Sequence, residues 1–292
     1  MSKKGILKPI RYYFEYVLFM FFICFFRLLP YKISSYLGGK ILENIGGLFK
    51  ASQTIKKNLN LALPDLSVVE QNRIAKGVWN NLGRVFAEFP HLVTWDKKKF
   101  DKLVRVEGEE KLADFLGTDK PLIFCSAHYS NWEVFAKYFV FKNMKVNILY
   151  RDANNKLVND KVMKMRVGKS NIKMCKKGVL GAGKAVRSLL KGEVLTSFID
   201  QKLSEGIDVP FFGRNAKTVP LIASLSLKHD IPIIPVHIER DGSNFTLIIE
   251  DPIDVKEKKF KNEYQIMLFL NKIMENWIKN KPEEWFWVHN RW

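Results

Sequence analysis

Five histidines stand in this chain of 292 residues, and two of them are followed five positions later by a carboxylate: His91 by Asp96 in H-L-V-T-W-D, and His128 by Glu133 in H-Y-S-N-W-E. An imidazole beside a carboxylate is a recurrent general-base unit. The acid fixes the ring's tautomer and favours the imidazolium that forms when a proton is taken. With 30 Asp and Glu in the chain, one accidental match of this spacing is ordinary. The surroundings of each histidine have to separate them.

P-L-I-F-C-S-A (121–127) reads as a buried strand, and His128 stands just past its C-terminal end. Ser130 or Asn131 can cap the helix that follows, W-E-V-F-A-K-Y-F. Sites in open α/β sheets collect beyond the carboxyl ends of strands. The helix N-terminus would also offer free backbone N–H groups to a developing oxyanion. On one helix, positions i and i+5 lie about 140° apart. The pair therefore meets only if His128 is in the turn and Glu133 in the first helical turn. His91 follows Pro90 at a helix end and runs into W-D-K-K-K, a charged connector, so no catalytic part is expected of it. A second acid competes with Glu133: Asp200 closes E-V-L-T-S-F-I-D (193–200), another strand whose end belongs on the same edge of the sheet. Arg151 in Y-R-D-A-N-N and Arg166 in M-R-V-G suit phosphate or oxyanion oxygens, which a guanidinium binds bidentately.

The elements that must position these residues follow from the texture of the chain. Residues 32–50 and 67–90 carry apolar side chains at helical spacing, the second run ending near Pro90. From about Leu103, short apolar strands alternate with helices. L-V-R-V-E-G, P-L-I-F-C-S-A, K-V-N-I-L-Y, E-V-L-T-S-F-I-D, I-P-I-I-P-V-H-I-E-R and N-F-T-L-I-I-E are strand candidates, and 131–142, 155–167, 182–191, 218–229 and 260–281 read as helices. Such alternation predicts an α/β fold, a sheet with helices on its faces. Before it, Tyr12–Leu29 is an apolar run closed by Pro30, about 27 Å long as a helix and close to a hydrocarbon thickness. The expected organisation is a membrane anchor over 1–30 and one catalytic domain over 31–292 with a helical N-terminal portion (31–100). Forty-eight Lys and Arg against 30 acids give a net charge of +18, which suits an anionic partner, here a lipid surface. Cys24, Cys125 and Cys175 are too scattered for a metal cluster, and their odd number speaks for a reducing compartment.

G-V-L-G-A-G-K-A (178–185) imitates a phosphate loop, but Ala185 stands where the magnesium-binding hydroxyl belongs, so it reads as a loop leading into a helix. A basic, non-catalytic binder of anionic lipid is the other rival. No nucleic-acid-binding motif is present in the sequence.

The stretch H-Y-S-N-W-E after an apolar strand resembles the His-x4-Asp/Glu motif of the glycerolipid and lipid A acyltransferases. It is most similar to the secondary (lauroyl/myristoyl) acyltransferases of lipid A biosynthesis. The matching stretches run in order along nearly the whole chain: N-L-N-L-A-L-P (58–64), Y-R-D-A-N-N (150–155), M-R-V-G (165–168), F-I-D-Q (198–201), V-P-F-F-G-R-N-A-K-T (209–218) and the ending W-F-W-V-H-N-R-W. Glu133 stands where many superfamily members carry Asp. The resemblance implies a glycerolipid-acyltransferase-like mixed sheet behind a hydrophobic anchor helix. It implies an enzyme at the bacterial inner membrane, facing the cytoplasm, without a cofactor or metal. Its reaction moves a fatty acyl chain from acyl carrier protein or coenzyme A to a hydroxyl of a lipid A precursor. His128, Glu133 and Asp200 would be catalytic, with Arg151, Arg166, Gln201, Arg214 and Thr218 on substrate. A lysophospholipid or other glycolipid acceptor is the alternative within the same chemistry. The aromatic ending is expected to be an interfacial belt, with His289 structural.

Overall fold

The computed structural model describes residues 3–150, 152–168, 170–176 and 178–292. Four helices come first: α1 (Lys3–Leu28), α2 (Tyr31–Ile45), α3 (Ala51–Ala62) and α4 (Val68–Leu92). Within α1, Pro9–Leu28 is long and apolar enough to cross a membrane, with a mean hydropathy of 1.4. Its inner face is not free, because Ile23 and Phe26 are buried and the Tyr12 carbonyl accepts a hydrogen bond from Asn155. Ser67 and Glu70 close α4's N-terminus as a reciprocal capping box. Pro90 sits inside the last turn of α4 rather than ending it. Gly83 of α4 lies against Gly38 of α2 so closely that a Cβ on Gly83 would stand 2.0 Å from the Gly38 carbonyl oxygen.

The remainder alternates as expected: α5 (Lys97–Leu103), β1 (Val104–Glu107), β2 (Leu122–Ser126), α6 (Glu133–Phe141), β3 (Val146–Tyr150), α7 (Lys156–Val167), β4 (Ile172–Lys176), α8 (Val179–Leu189), β5 (Val194–Phe198), β6 (Ile207–Phe211), β7 (Arg214–Thr218), α9 (Leu221–His229), β8 (Ile233–Asp241), β9 (Asn244–Ile249) and α10 (Glu263–Asn280). Seven strands form one mixed sheet in the order β1-β9-β8-β2-β5-β3-β4, parallel except where β8 meets β9.

Both faces of this sheet are covered. Successive side chains of a strand point to opposite faces, and β2 divides accordingly. Ile123 and Cys125 join a core with α3, α4, α8, α9 and α10, while Leu122 and Phe124 join one with α5 and α6. Helices α3 and α4 thus contribute Ile55, Leu59, Ile74 and Leu82 to the same core as the sheet.

Several stretches differ from the sequence expectation: Ala51–Ala62 is helix α3, and the charged connector after W-D is helix α5. I-K-M-C-K forms edge strand β4, with its lysines outward. V-P-F-F-G-R-N-A-K-T, outside the expected strands and helices, is most of an antiparallel hairpin, β6–β7, whose turn residues Phe212 and Gly213 both have positive φ, as a two-residue hairpin turn demands. The glycine run at 178–183 is mostly helix: α8 begins at Val179, so Gly181 and Gly183 cannot cradle a phosphate as a loop would.

Candidate active site

The register of two neighbouring strands builds the site. Ser126 of β2 pairs with Phe198 of β5 in parallel. Two residues beyond that pair lie His128 on one strand and Asp200 on the other. Their meeting follows directly: His128 Nδ1 is 2.8 Å from Asp200 Oδ1, and the His128 backbone N–H donates to Asp200 Oδ2 at 2.9 Å. Asp200 is fully buried, and the His128 side chain keeps 19% exposure. Burial works to raise the Asp200 carboxyl's pKa, but attraction to His128, the hydrogen bonds from it and attraction to His289 outweigh this. The carboxyl stays far below the usual carboxylate range. A carboxylate accepting from Nδ1–H leaves Nε2 as the unprotonated ring nitrogen, which is the nitrogen a general base needs. Phe198, Phe286 and Trp132 pack around the ring at centroid distances of 4.9, 5.8 and 5.3 Å.

Glu133 takes a different partner from the one its spacing suggested. His128 is in the turn and Glu133 opens α6, as the i+5 argument required, but the Glu133 carboxylate is engaged by Arg166 of α7. Arg166 Nε donates to Oε2 at 2.9 Å and Nη2 donates to Oε1. Burial disfavours the guanidinium's charge, and Glu133 more than restores it. The backbone N–H groups at the start of α6 are also spent. Those of Glu133 and Val134 donate to Asn131 and that of Phe135 to Trp132, so they are not the free oxyanion donors expected from the sequence. The N-cap position is Trp132, with no side-chain cap, and neither Ser130 nor Asn131 occupies it; the Glu133 N–H is met instead by Oδ1 of Asn131. Its amide also donates to Glu88, which is buried and paired bidentately with Arg240 at 2.6 and 3.0 Å. The turn carrying His128 is thereby tied to α4 and β8.

A cavity of about 580 Å³ opens in front of these groups, within the range typical of small-ligand sites. His128, Glu133, Arg166, Gln201 and Lys202 supply its polar wall. Phe135, Ala136, Phe139, Ile148, Ile172 and Met174 make an apolar recess between α6 and the β3–β4 edge. Among the described residues, no three His, Cys, Asp or Glu side chains converge as a metal site needs.

The other expected positions divide. Gln201 and Arg166 line the cavity; Arg151 lies outside the described residues. Arg214 and Thr218 do not line it. Arg214 is exposed on β7 and donates to the Leu61 carbonyl. Thr218 is buried, with its hydroxyl taken by the Ala216 carbonyl and Arg291. His91 lies in the last turn of α4, buried and 2.8 Å from the Phe26 carbonyl, a helix-to-helix tie with no place in the cavity. The aromatic ending is a correction too. Trp285 and Trp287 are buried at 1% and 0% exposure, so they form core rather than an interfacial belt. Trp285 donates its indole N–H to Asp200 Oδ2 at 3.0 Å, and Phe286 and His289 line the cavity. Three indoles within the last eight residues suit a lipid interface as well as a core, so composition alone has no way to choose inward from outward.

Residues 2–292 match the bacterial lipid A biosynthesis acyltransferase family. The chain belongs to this family. Relatives include the lipid A biosynthesis palmitoleoyltransferase of Escherichia coli (strain K12), 25% identical over 276 residues that cover 90% of this chain and 86% of the relative. The lipid A biosynthesis lauroyltransferase of the same organism is 23% identical over 277 residues, with the same coverage. The 1-acyl-sn-glycerophosphate acyltransferase PlsC from Thermotoga maritima aligns over 83% of this chain and 99% of its own at 15% identity, with a TM-score of 0.40. As a member of this family the chain is an acyltransferase, and the cavity described above is its candidate reaction site.

Proposed function

We propose that this acyltransferase moves a fatty acyl chain from an acyl thioester, on acyl carrier protein or coenzyme A, to a hydroxyl of a lipid A precursor, with His128 as the base. The observation that carries the reading is the His128 Nδ1–Asp200 contact, which leaves Nε2 free beside an apolar recess. The acceptor hydroxyl gives its proton to Nε2 as its oxygen attacks the thioester carbonyl. The C–O bond forms, the C–S bond breaks, and the imidazolium returns the proton to the departing thiolate. Asp200 holds the tautomer and offsets the imidazolium's charge, as the acid of a serine-protease triad does.

Phe135, Phe139, Ile148, Ile172 and Met174 take the acyl chain. The names of the relatives, a palmitoleoyl- and a lauroyltransferase, support a long-chain donor. Arg166, oriented by Glu133, and Lys202 bring positive charge to the polar wall, where they meet the carbonyl oxyanion or the acceptor's phosphate. Helix α1 holds the enzyme to the bacterial inner membrane with the cavity on the cytoplasmic side, where both thioesters are made. The net charge of +18 draws it to acidic head groups and to an acidic carrier.

The test is acyl transfer by membranes carrying wild type or His128→Ala, from a labelled acyl-carrier-protein donor to a Kdo-bearing tetra-acylated lipid A precursor. Product from wild type and a loss of about a hundredfold or more in the variant is the expected result. Equal activity in both would remove His128 from the chemistry. Silence from both would redirect the search to phospholipid acceptors.

A further inference from the structure

The last nine residues fold across the turn that carries His128. Tyr129 and Trp285 form an antiparallel bridge, Ser130 N–H donates to the Glu284 carbonyl at 2.8 Å, and Phe286 N–H donates to the His128 carbonyl at 3.0 Å. From this segment two side chains reach Asp200. Trp285 Nε1–H donates to carboxylate Oδ2 at 3.0 Å, and His289 Nε2 lies 3.1 Å from the Asp200 backbone carbonyl. Trp285 is itself fixed, edge-on to Trp287 at 4.5 Å and to Phe211 at 5.6 Å.

The carboxylate is therefore held at three points. Oδ2 takes the Trp285 indole and the His128 backbone N–H, which leaves Oδ1 to the His128 ring. Without the indole, Oδ2 would keep a single backbone donor, and the carboxylate could swing about it. Its negative charge would also be less neutralised in a site that excludes water, where each donor counts for more than in solvent.

We propose that Trp285 is a positioning residue of the acyltransferase: by holding Oδ2 of Asp200 it aims Oδ1 at His128 Nδ1 and limits the negative charge that His128 experiences. This rests on His128 being the base. The titratable neighbours of the pair are Cys125 on β2, whose thiol burial pushes upward, and His289 and Arg291 in the tail. Across the cavity stand Glu133 with Arg166, and Lys202. None of these takes over the indole's place on Oδ2 in the described hydrogen bonds.

Loss of the indole donor leaves a more concentrated negative charge beside His128, which favours imidazolium and moves the acid limb of the pH–kcat/KM profile upward. A charge-assisted hydrogen bond is worth about one pKa unit to the carboxylate that accepts it. A limb shift of roughly half a unit and a fall of about tenfold in kcat are expected once part of that reaches His128. The experiment uses the full-length enzyme in three forms: Trp285→Phe, position 285 filled with 3-benzothienylalanine (a sulfur isostere lacking only the N–H), and His128→Ala. Melting temperature reports folding. Both Trp285 forms, folded, are expected to show the shifted limb and the lower kcat. The pH at which diethyl pyrocarbonate begins to modify the His128 peptide should move with the limb. If either folded form keeps the wild-type profile and kcat, the proposal is overturned. His128→Ala separates the failures. Inactive His128→Ala with unaltered Trp285 forms removes only Trp285, whereas active His128→Ala removes the base and this proposal together.

Discussion

Asp200→Asn is the perturbation that most directly tests which acid serves His128. The carboxylate now accepts from three N–H groups, two at Oδ2 and one at Oδ1. An asparagine keeps one oxygen, and the better use of it is toward the two fixed donors, the His128 backbone N–H and the Trp285 indole. Its NH2 group then faces His128 Nδ1, which must accept rather than donate. The ring proton moves to Nε2, the very nitrogen that has to take the acceptor's proton. The same tautomer reversal in a serine-protease triad costs about 10⁴-fold in kcat, so a loss of about 10³- to 10⁴-fold is expected here, or about 4–5.5 kcal/mol in activation free energy. Glu133→Gln leaves the His128–Asp200 contact intact and releases Arg166. Its cost should fall mainly on KM and stay below about a hundredfold, as for one substrate-side charge. The assay is initial-rate acyl transfer from acyl carrier protein across donor concentrations, with both variants checked for folding by thermal melting. A fully active Asp200→Asn beside a silent Glu133→Gln would refute the reasoning.

Further outcomes follow from the same geometry. Ala136→Phe places a ring in the apolar recess between α6 and the β3–β4 edge, so donor preference should move to shorter acyl chains, read by competition between thioesters of different length. Glu88→Gln should destabilise the protein by about 3 kcal/mol, because it leaves buried Arg240 without its counter-charge. The double change Glu88→Met with Arg240→Leu should recover much of that loss, seen as the urea midpoint. His237 is buried against Trp277 at a centroid distance of 4.5 Å, and burial lowers its pKa from 6.5 to about 4 although Glu239 pulls the other way. The unfolded chain therefore binds the proton first, and stability falls by up to about 3 kcal/mol as pH drops from about 6.5 to 4. His237→Phe should flatten that dependence in urea titrations.

Much of the scaffold was legible because burial writes itself into the sequence. P-L-I-F-C-S-A and E-V-L-T-S-F-I-D are covered on both faces, so their apolar runs are continuous and easily read. β4 was not, because I-K-M-C-K at the sheet edge interrupts its buried Ile172 and Cys175 with two exposed lysines, one on each face, and shows no continuous apolar run. The β6–β7 hairpin was hidden by Pro210, which argues against a strand by rule, and by Phe212 in a turn position usually given to Asn or Asp. Gly178–Gly183 misled in the opposite sense. Glycine marks turns by its freedom, yet Gly181 sits in α8 where a Cβ would lie 1.8 Å from the Lys176 carbonyl oxygen, so closeness of packing selects it.

The site was legible as a set of residues and not as a set of pairs. His128, Asp200 and Gln201 follow strand ends and Glu133 opens a helix on one edge of the sheet, a placement that follows from the chain's alternation of elements, while Arg166 reaches them from the last turn of α7. Which acid meets which base depends on strand order, since β2 and β5 are neighbours although two other strands intervene in sequence and His128 and Asp200 lie 72 positions apart. Once Ser126 is known to pair with Phe198, the contact two residues further on is forced, and Glu133 is left for Arg166. The tail carried even less warning. Trp285 and His289 lie on no strand–helix alternation, and three indoles in eight residues suit a lipid interface as well as a core. Their inward turn is decided by backbone donors and acceptors, at Tyr129, Ser130 and His128, that no side-chain pattern displays. An acid chosen by proximity in sequence is thus the weaker inference whenever a parallel strand ends beside the base.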